Sequence, residues 1–142
     1  MTLDLEALET SFDLVAPRGD ELMDVFYARL FAAAPAVKPL FAGTDIRRQK
    51  AMLLSALVLV RTSLRDMDAL APKLRELGAR HVAHGATPEH YIVVGEVLIA
   101  SLAEIAGEAW RPEHELAWGA ALAVIADAML SGARDAEMGL AA

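Results

Sequence analysis

Apolar residues in this chain recur every three or four positions, the spacing of a helix face, and nowhere alternate long enough to suggest a strand. Leu5, Leu8, Phe12 and Val15 mark a first helix from about Leu3 to Val15, with Thr2 as its expected cap. Pro17, Arg18 and Gly19 interrupt it. Met23, Tyr27, Leu30 and Ala34, flanked by Phe26 and Phe31, mark a second from about Glu21 to Ala33. A proline-bounded segment, PAVKPLF, then delivers Phe41 into a corner. Thr44 or Asp45 opens a third helix to about Leu64, with Ile46, Gln49, Leu53, Leu57, Val60 and Leu64 in one stripe. Leu70, Leu74, Leu77 and His81 share the face of a fourth, which Gly85 ends. Thr87 caps and Pro88 begins a fifth, to about Ala106, with the stripe Tyr91, Val94, Leu98, Leu102 and Ile105. Pro112 opens the last, which carries Trp118, Leu122, Ile125 and Met129 and is expected to fade near Gly132, leaving a frayed tail, DAEMGLAA. The prediction is an all-α single domain over residues 1–142, six or seven helices joined by short polar loops.

Four stripe positions are not apolar. Tyr27, Gln49, His81 and Tyr91 lie on four different helices, each in an otherwise hydrophobic row. A core-facing amide left unpaired costs on the order of 1–3 kcal/mol, and a buried phenol needs a partner. One such residue is ordinary, and a lone inward histidine is more often a satisfied core residue than a ligand. Four together suggest a shared interior pocket. Hydrophobic residues make up 56% of the chain and mean hydropathy is +0.36, which fits an apolar cavity, although alanine-rich helices raise both figures. No uncharged run reaches the ~18–20 residues of a membrane helix; the longest is Leu116 to Ala126. The start, MTLDLEALE, lacks the basic region of a signal peptide, so a cytoplasmic location is expected. A net charge of −7 argues against nucleic acid and anionic membranes. With no cysteine there are no disulfides, thiolate metal sites or thiol nucleophiles.

The stripes carry no carboxylate, so acid–base hydrolysis by paired carboxylates has no candidates. No Ser-His-Asp pattern, GxGxxG, P-loop or HExxH is present. A zinc site needs three or four close ligands; His81, His84, Glu89 and His90 are near in sequence, but a corner separates them. One histidine with a large apolar cavity is the pattern of haem, whose porphyrin supplies four of the iron's nitrogens.

The segments FYARLFAAAPAVKPLF (26–41), Gln49 with Leu53, RHVAHGATPEHYIVVGEVL (80–98) and AWGAALAVIAD (117–127) resemble the bacterial haemoglobins, the single-domain relatives of flavohaemoglobin and of Vitreoscilla haemoglobin. The resemblance implies a globin fold around a haem b. It implies His81 as the proximal iron ligand and Phe41 against the haem face. It implies Tyr27 and Gln49 as the distal hydrogen-bonding pair, Leu53 as the distal apolar wall, Tyr91 beside the ligand histidine, and Trp118 in the core. His84 is expected near a haem propionate or in solvent; His90 and His114, in first turns of helices, are expected at the surface.

Two departures from the family change the expectation. Residues 1–142 carry no counterpart of the FAD and NAD reductase domains of flavohaemoglobin, so dependence on an external reductase is expected. The family's proximal glutamate falls on Ala133, with Glu137 one turn too late to replace it. The leading expectation is therefore reversible oxygen binding for storage, delivery or scavenging, by a monomer or homodimer. The alternatives are a nitric oxide dioxygenase or weak peroxidase fed by a separate reductase, and a gas sensor, with haem or in a haemless, interaction-module form. Nitric oxide and carbon monoxide are further candidate ligands.

Overall fold

The computed structural model describes residues 4–139, and among these there are six α-helices and no strand: α1 (Leu5–Val15), α2 (Gly19–Ala33), α3 (Ile46–Ser63), α4 (Met67–Ala83), α5 (Pro88–Ala106) and α6 (Pro112–Glu137). Thr2 lies outside the described residues. The cap of α1 is Asp4, whose carboxylate accepts the Ala7 N–H at 3.0 Å. A 3₁₀ turn, Ala16–Arg18, joins α1 to α2, which begins at Gly19 rather than Glu21. Pro17 fits there because the first turn of a helix leaves its N–H groups unbonded anyway. The Arg18 guanidinium donates to the Ile105 carbonyl at 2.9 Å and so satisfies one of the last carbonyls of α5.

The centre of the core is Leu8, Phe12, Val15, Leu22, Met23, Phe26, Leu102 and Trp118, all buried. The Trp118 indole donates to the Ser11 hydroxyl at 2.8 Å, and that hydroxyl donates to the Leu8 carbonyl at 3.0 Å. This buried polar chain is complete and ties α1 to α6. By length and composition α6 is apolar enough to cross a membrane. Its Trp118 and Met129 are buried against α1 and α4 instead.

The tail expected to fray is helical to Glu137. Gly132 does not end α6; it is where α6 touches α4. A Cβ on Gly132 would lie 1.9 Å from the Arg75 carbonyl oxygen, and one on Gly78 would lie 1.8 Å from the Met129 carbonyl oxygen. The two helices therefore meet backbone to backbone. One turn away the Arg75 guanidinium donates to the Ser131 hydroxyl at 3.0 Å and to the Asp135 carboxylate.

Burial along the stripes is graded, and the gradient locates an opening. On α3, Leu57, Val60 and Leu64 are buried, whereas Ile46, Gln49 and Leu53 are half-buried. On α4, Leu70 and Leu74 are buried, Leu77 is half-buried and His81 is exposed. On α5, Leu98, Leu102 and Ile105 are buried, whereas Tyr91 and Val94 are half-buried. The short turn at 64–66 holds α3 and α4 together at one end. Their stripes open at the other, beside the start of α5.

Candidate functional site

Two polar groups border this opening, one from α2 and α3, the other from α4 and α5. In the first, Tyr27 is 4% exposed and walled by aromatic rings. Phe26 and Phe41 meet it edge-on, with centroids 5.0 and 5.9 Å away, and Phe31 lies at 6.0 Å. Phe41, half-buried at the end of the 3₁₀ segment Pro35–Phe41, also packs edge-on against Phe31 at 5.6 Å. Burial pushes the Tyr27 phenol above its ordinary value of 10.0, and the Gln49 side chain beside it partly offsets this. Asp45 sets where α3 starts, and hence the register of Gln49, by accepting the Arg47 N–H at 3.0 Å. Leu53 follows one turn on, half-buried against the core.

The second group is built by the corner between α4 and α5. His84 ends α4 and Gly85 follows with φ +93°, a conformation that glycine adopts freely. The Ala86 N–H returns to the His81 carbonyl at 3.0 Å and the Gly85 N–H to the Val82 carbonyl at 3.1 Å, a Schellman motif that pins the backbone of His81. The His81 ring sits 2.8 Å, through Nδ1, from the Leu77 carbonyl. A carbonyl only accepts, so Nδ1 carries a proton, and in the neutral ring Nε2 is the nitrogen with the lone pair. The spacing predicted an inward histidine; the ring is exposed, because the α4 stripe runs into the opening. The Tyr91 ring lies 6.4 Å from it. The Tyr91 hydroxyl is buried with no hydrogen-bond partner, and burial raises its phenol above 10.0.

Half-buried apolar positions on α3, α4 and α5, beside one imidazole whose Nδ1 is already engaged, fit a flat apolar group that needs one nitrogen ligand. A haem is such a group. The Tyr91 hydroxyl has no partner, and Ala133, expected where related haemoglobins carry a glutamate, is 6% exposed. Among the described residues no three His, Asp or Glu side chains gather as a metal cage, so the zinc alternative has no ligand set. Two surface grooves, of about 420 and 170 Å³, lie elsewhere, around Arg29 and Glu96 and around Thr62 and Lys73.

Two histidines depart from expectation. His114 is buried at 7% exposure, not at the surface, and His90 is half-buried. Each caps its own helix: His90 Nδ1 accepts the Thr87 N–H at 3.0 Å and His114 Nδ1 accepts the Arg111 N–H at 3.1 Å. The signal was present in the chain as a repeated Pro-Glu-His, at 88–90 and 112–114, with histidine at the position where a capping box has Glu or Gln. His84 is exposed. The sequence pattern alone does not single out Arg75 and Gly78, which hold the histidine's helix; in it Leu77 is only a stripe residue and Gly132 only the end of the last helix.

Comparison with known proteins bears on the family and the fold. The family model for globins matches residues 24–129. Flavohemoproteins of Bacillus thuringiensis subsp. konkukian and Bacillus subtilis are 32% and 26% identical over 130 and 133 residues, covering 89% and 92% of this chain. Those matches cover 32% and 33% of the relatives, so the chain spans about a third of their length. Among solved structures, a bacterial globin from Campylobacter jejuni superposes with a TM-score of 0.79 at 20% identity, covering 92% of this chain and 94% of that one. An engineered carbene transferase from Rhodothermus marinus superposes with a TM-score of 0.80 at 23% identity, covering 99% and 100%. At those identities the structural likeness speaks for the fold, and with the family match it shows that the chain belongs to the globin family.

Proposed function

We propose that this globin holds a haem b in the opening between its two polar groups and binds oxygen reversibly, for storage, delivery or scavenging. The observation that carries the reading is the common opening of the α3, α4 and α5 stripes, with Tyr27 and Gln49 on one side and the free Nε2 of His81 on the other. The haem, when bound, supplies the iron that takes up the gas. His81 would hold the iron through Nε2, and the Leu77 carbonyl orients its ring through Nδ1. Tyr27 is the principal hydrogen-bond donor to the gas, because a phenol kept neutral and dry donates strongly to a partly negative acceptor. Gln49 is the second donor. Phe41 and Leu53 form apolar walls that exclude water, and His84 at the rim is within the part of the fold that would meet a propionate.

A second reading, nitric oxide dioxygenation with a separate reductase, is favoured by the likeness to flavohemoproteins. Against it, His81 has a backbone carbonyl as its Nδ1 partner, and such a partner draws the imidazole less towards imidazolate than a carboxylate does. Absorption spectra of the ferric and ferrous protein, with and without carbon monoxide, test the haem site. Loss of the histidyl-haem spectrum in His81→Ala is the expected result, and normal haem binding by that variant would refute the assignment. Sustained conversion of nitric oxide to nitrate, with a reductase present, would favour the second reading over the first.

A further inference from the structure

The α4–α6 contact has a feature that the fold alone does not require. Both close approaches are to carbonyl oxygens of the backbone, Met129 over Gly78 and Arg75 over Gly132. No rotamer change can relieve a Cβ placed there. An ordinary carbon contact of roughly 3.5 Å would force the helices apart by on the order of 1.5 Å. Gly78 lies three residues before His81, about one turn along α4, and directly follows Leu77, whose carbonyl holds the His81 ring. On α6, Gly132 directly precedes Ala133, where the family has its glutamate. Arg75 clasps Ser131 and Asp135 on the same stretch of α6. The last turns of α4 are thus held twice, by α6 from Arg75 to Gly78 and by the Schellman motif from His81 to Ala86.

We propose that α6 is a fixed platform for the axial histidine: the Gly78–Gly132 crossing and the Arg75 clasp set the reach and tilt of His81, take the place of a side-chain acceptor, and keep α4 from relaying gas binding to the rest of the molecule. The inference rests on His81 being the axial ligand. It separates the oxygen-binding reading from the sensor reading, because a sensor that signals through its proximal helix needs that helix to have two positions.

The test uses the full chain and three variants. Gly78→Ala opens the crossing. Arg75→Gln removes the clasp without steric load. Gly119→Ala, also on α6 but with open space around the added carbon, is the control. In Gly78→Ala the iron–histidine stretch of the ferrous protein should shift and haem loss to an excess of a haem-scavenging protein should speed up about tenfold. In Arg75→Gln the amides from Leu77 to Ala83 should exchange hydrogen about tenfold faster in the haem-free protein. Gly119→Ala should change neither. Carbon monoxide binding to the wild-type protein should leave α4 exchange unchanged. A folded Gly78→Ala with the wild-type stretch would overturn the proposal. So would Arg75→Gln with wild-type protection, which decides the matter if Gly78→Ala fails to fold, or a change in α4 exchange on carbon monoxide binding. Unchanged haem binding in His81→Ala would instead overturn the axial assignment, and the haem-free exchange result would still stand apart from it.

Discussion

The two tyrosines of this protein are both partly or wholly buried and both have phenols raised above 10.0 by that burial, yet their surroundings differ. Tyr27 is sealed among three phenylalanines and has the Gln49 side chain beside it. Tyr91 stands next to His81 with its hydroxyl unpartnered, and the neighbouring histidine relies on a backbone carbonyl. On the α2–α3 side the phenol has a side-chain neighbour, Gln49. On the α4–α5 side a backbone carbonyl holds the histidine ring and the tyrosine hydroxyl has no partner. The difference teaches that the two sides of the opening are built independently: on the side proposed to meet the gas a phenol pairs with a side chain, while on the side proposed to hold the iron the histidine relies on the backbone.

The largest expected effect lies on the α4–α5 side. His81→Ala should abolish five-coordinate histidyl-haem spectra and most haem retention, whereas His84→Ala should leave both near wild type, as read by absorption spectroscopy; the reverse pattern would exchange the two roles. On the other side, Tyr27→Phe keeps the ring and removes the donor. Oxygen dissociation should accelerate by roughly tenfold for every ~1.4 kcal/mol of hydrogen bond lost, with a smaller change for carbon monoxide in flash photolysis. Equal effects on the two gases would point to steric control and erase the contrast between donor and wall.

A smaller effect is expected from Tyr91→Phe. An unpartnered buried hydroxyl costs up to ~1–3 kcal/mol, so its removal should leave the haem-free protein as stable or more stable by about 1 kcal/mol in urea unfolding, where Tyr27→Phe should not. A clear loss of stability in Tyr91→Phe would mean that its hydroxyl has a partner. The smallest effect is in alkali. Both phenols keep their protons in the folded chain at pH values where the unfolded chain has lost them. Their contribution is fully present below pH 10.0 and falls as pH rises above it, through the raised folded values. Tyr91→Phe should flatten that fall in a pH series of unfolding curves, and an unchanged slope would remove Tyr91 from the account.

The helices and the polar residues of both groups were legible in the chain, because a 3.6-residue rhythm shows which positions share a face. Tyr27 beside Gln49, and His81 beside Tyr91, follow from stripes that converge. The α4–α6 crossing was not legible. A glycine inside a helical pattern reads as a stop or a weak point, and Gly132 was so read. Only the opposing backbone, distant in sequence, reveals that it permits contact. Arg75 with Asp135, and with it the helical state of the tail, is hidden for the same reason. His114 was misplaced because a histidine in a first turn looks solvated until its ring is seen folding back onto Arg111.

The iron–histidine stretching frequency of the ferrous, gas-free protein, read by resonance Raman, tests the contrast between the two sides most directly. A neutral imidazole whose Nδ1–H rests on the Leu77 carbonyl gives a weak bond and a low, myoglobin-like frequency. A frequency in the high, peroxidase-like range would show that a carboxylate has reached His81 after all, and would contradict the account.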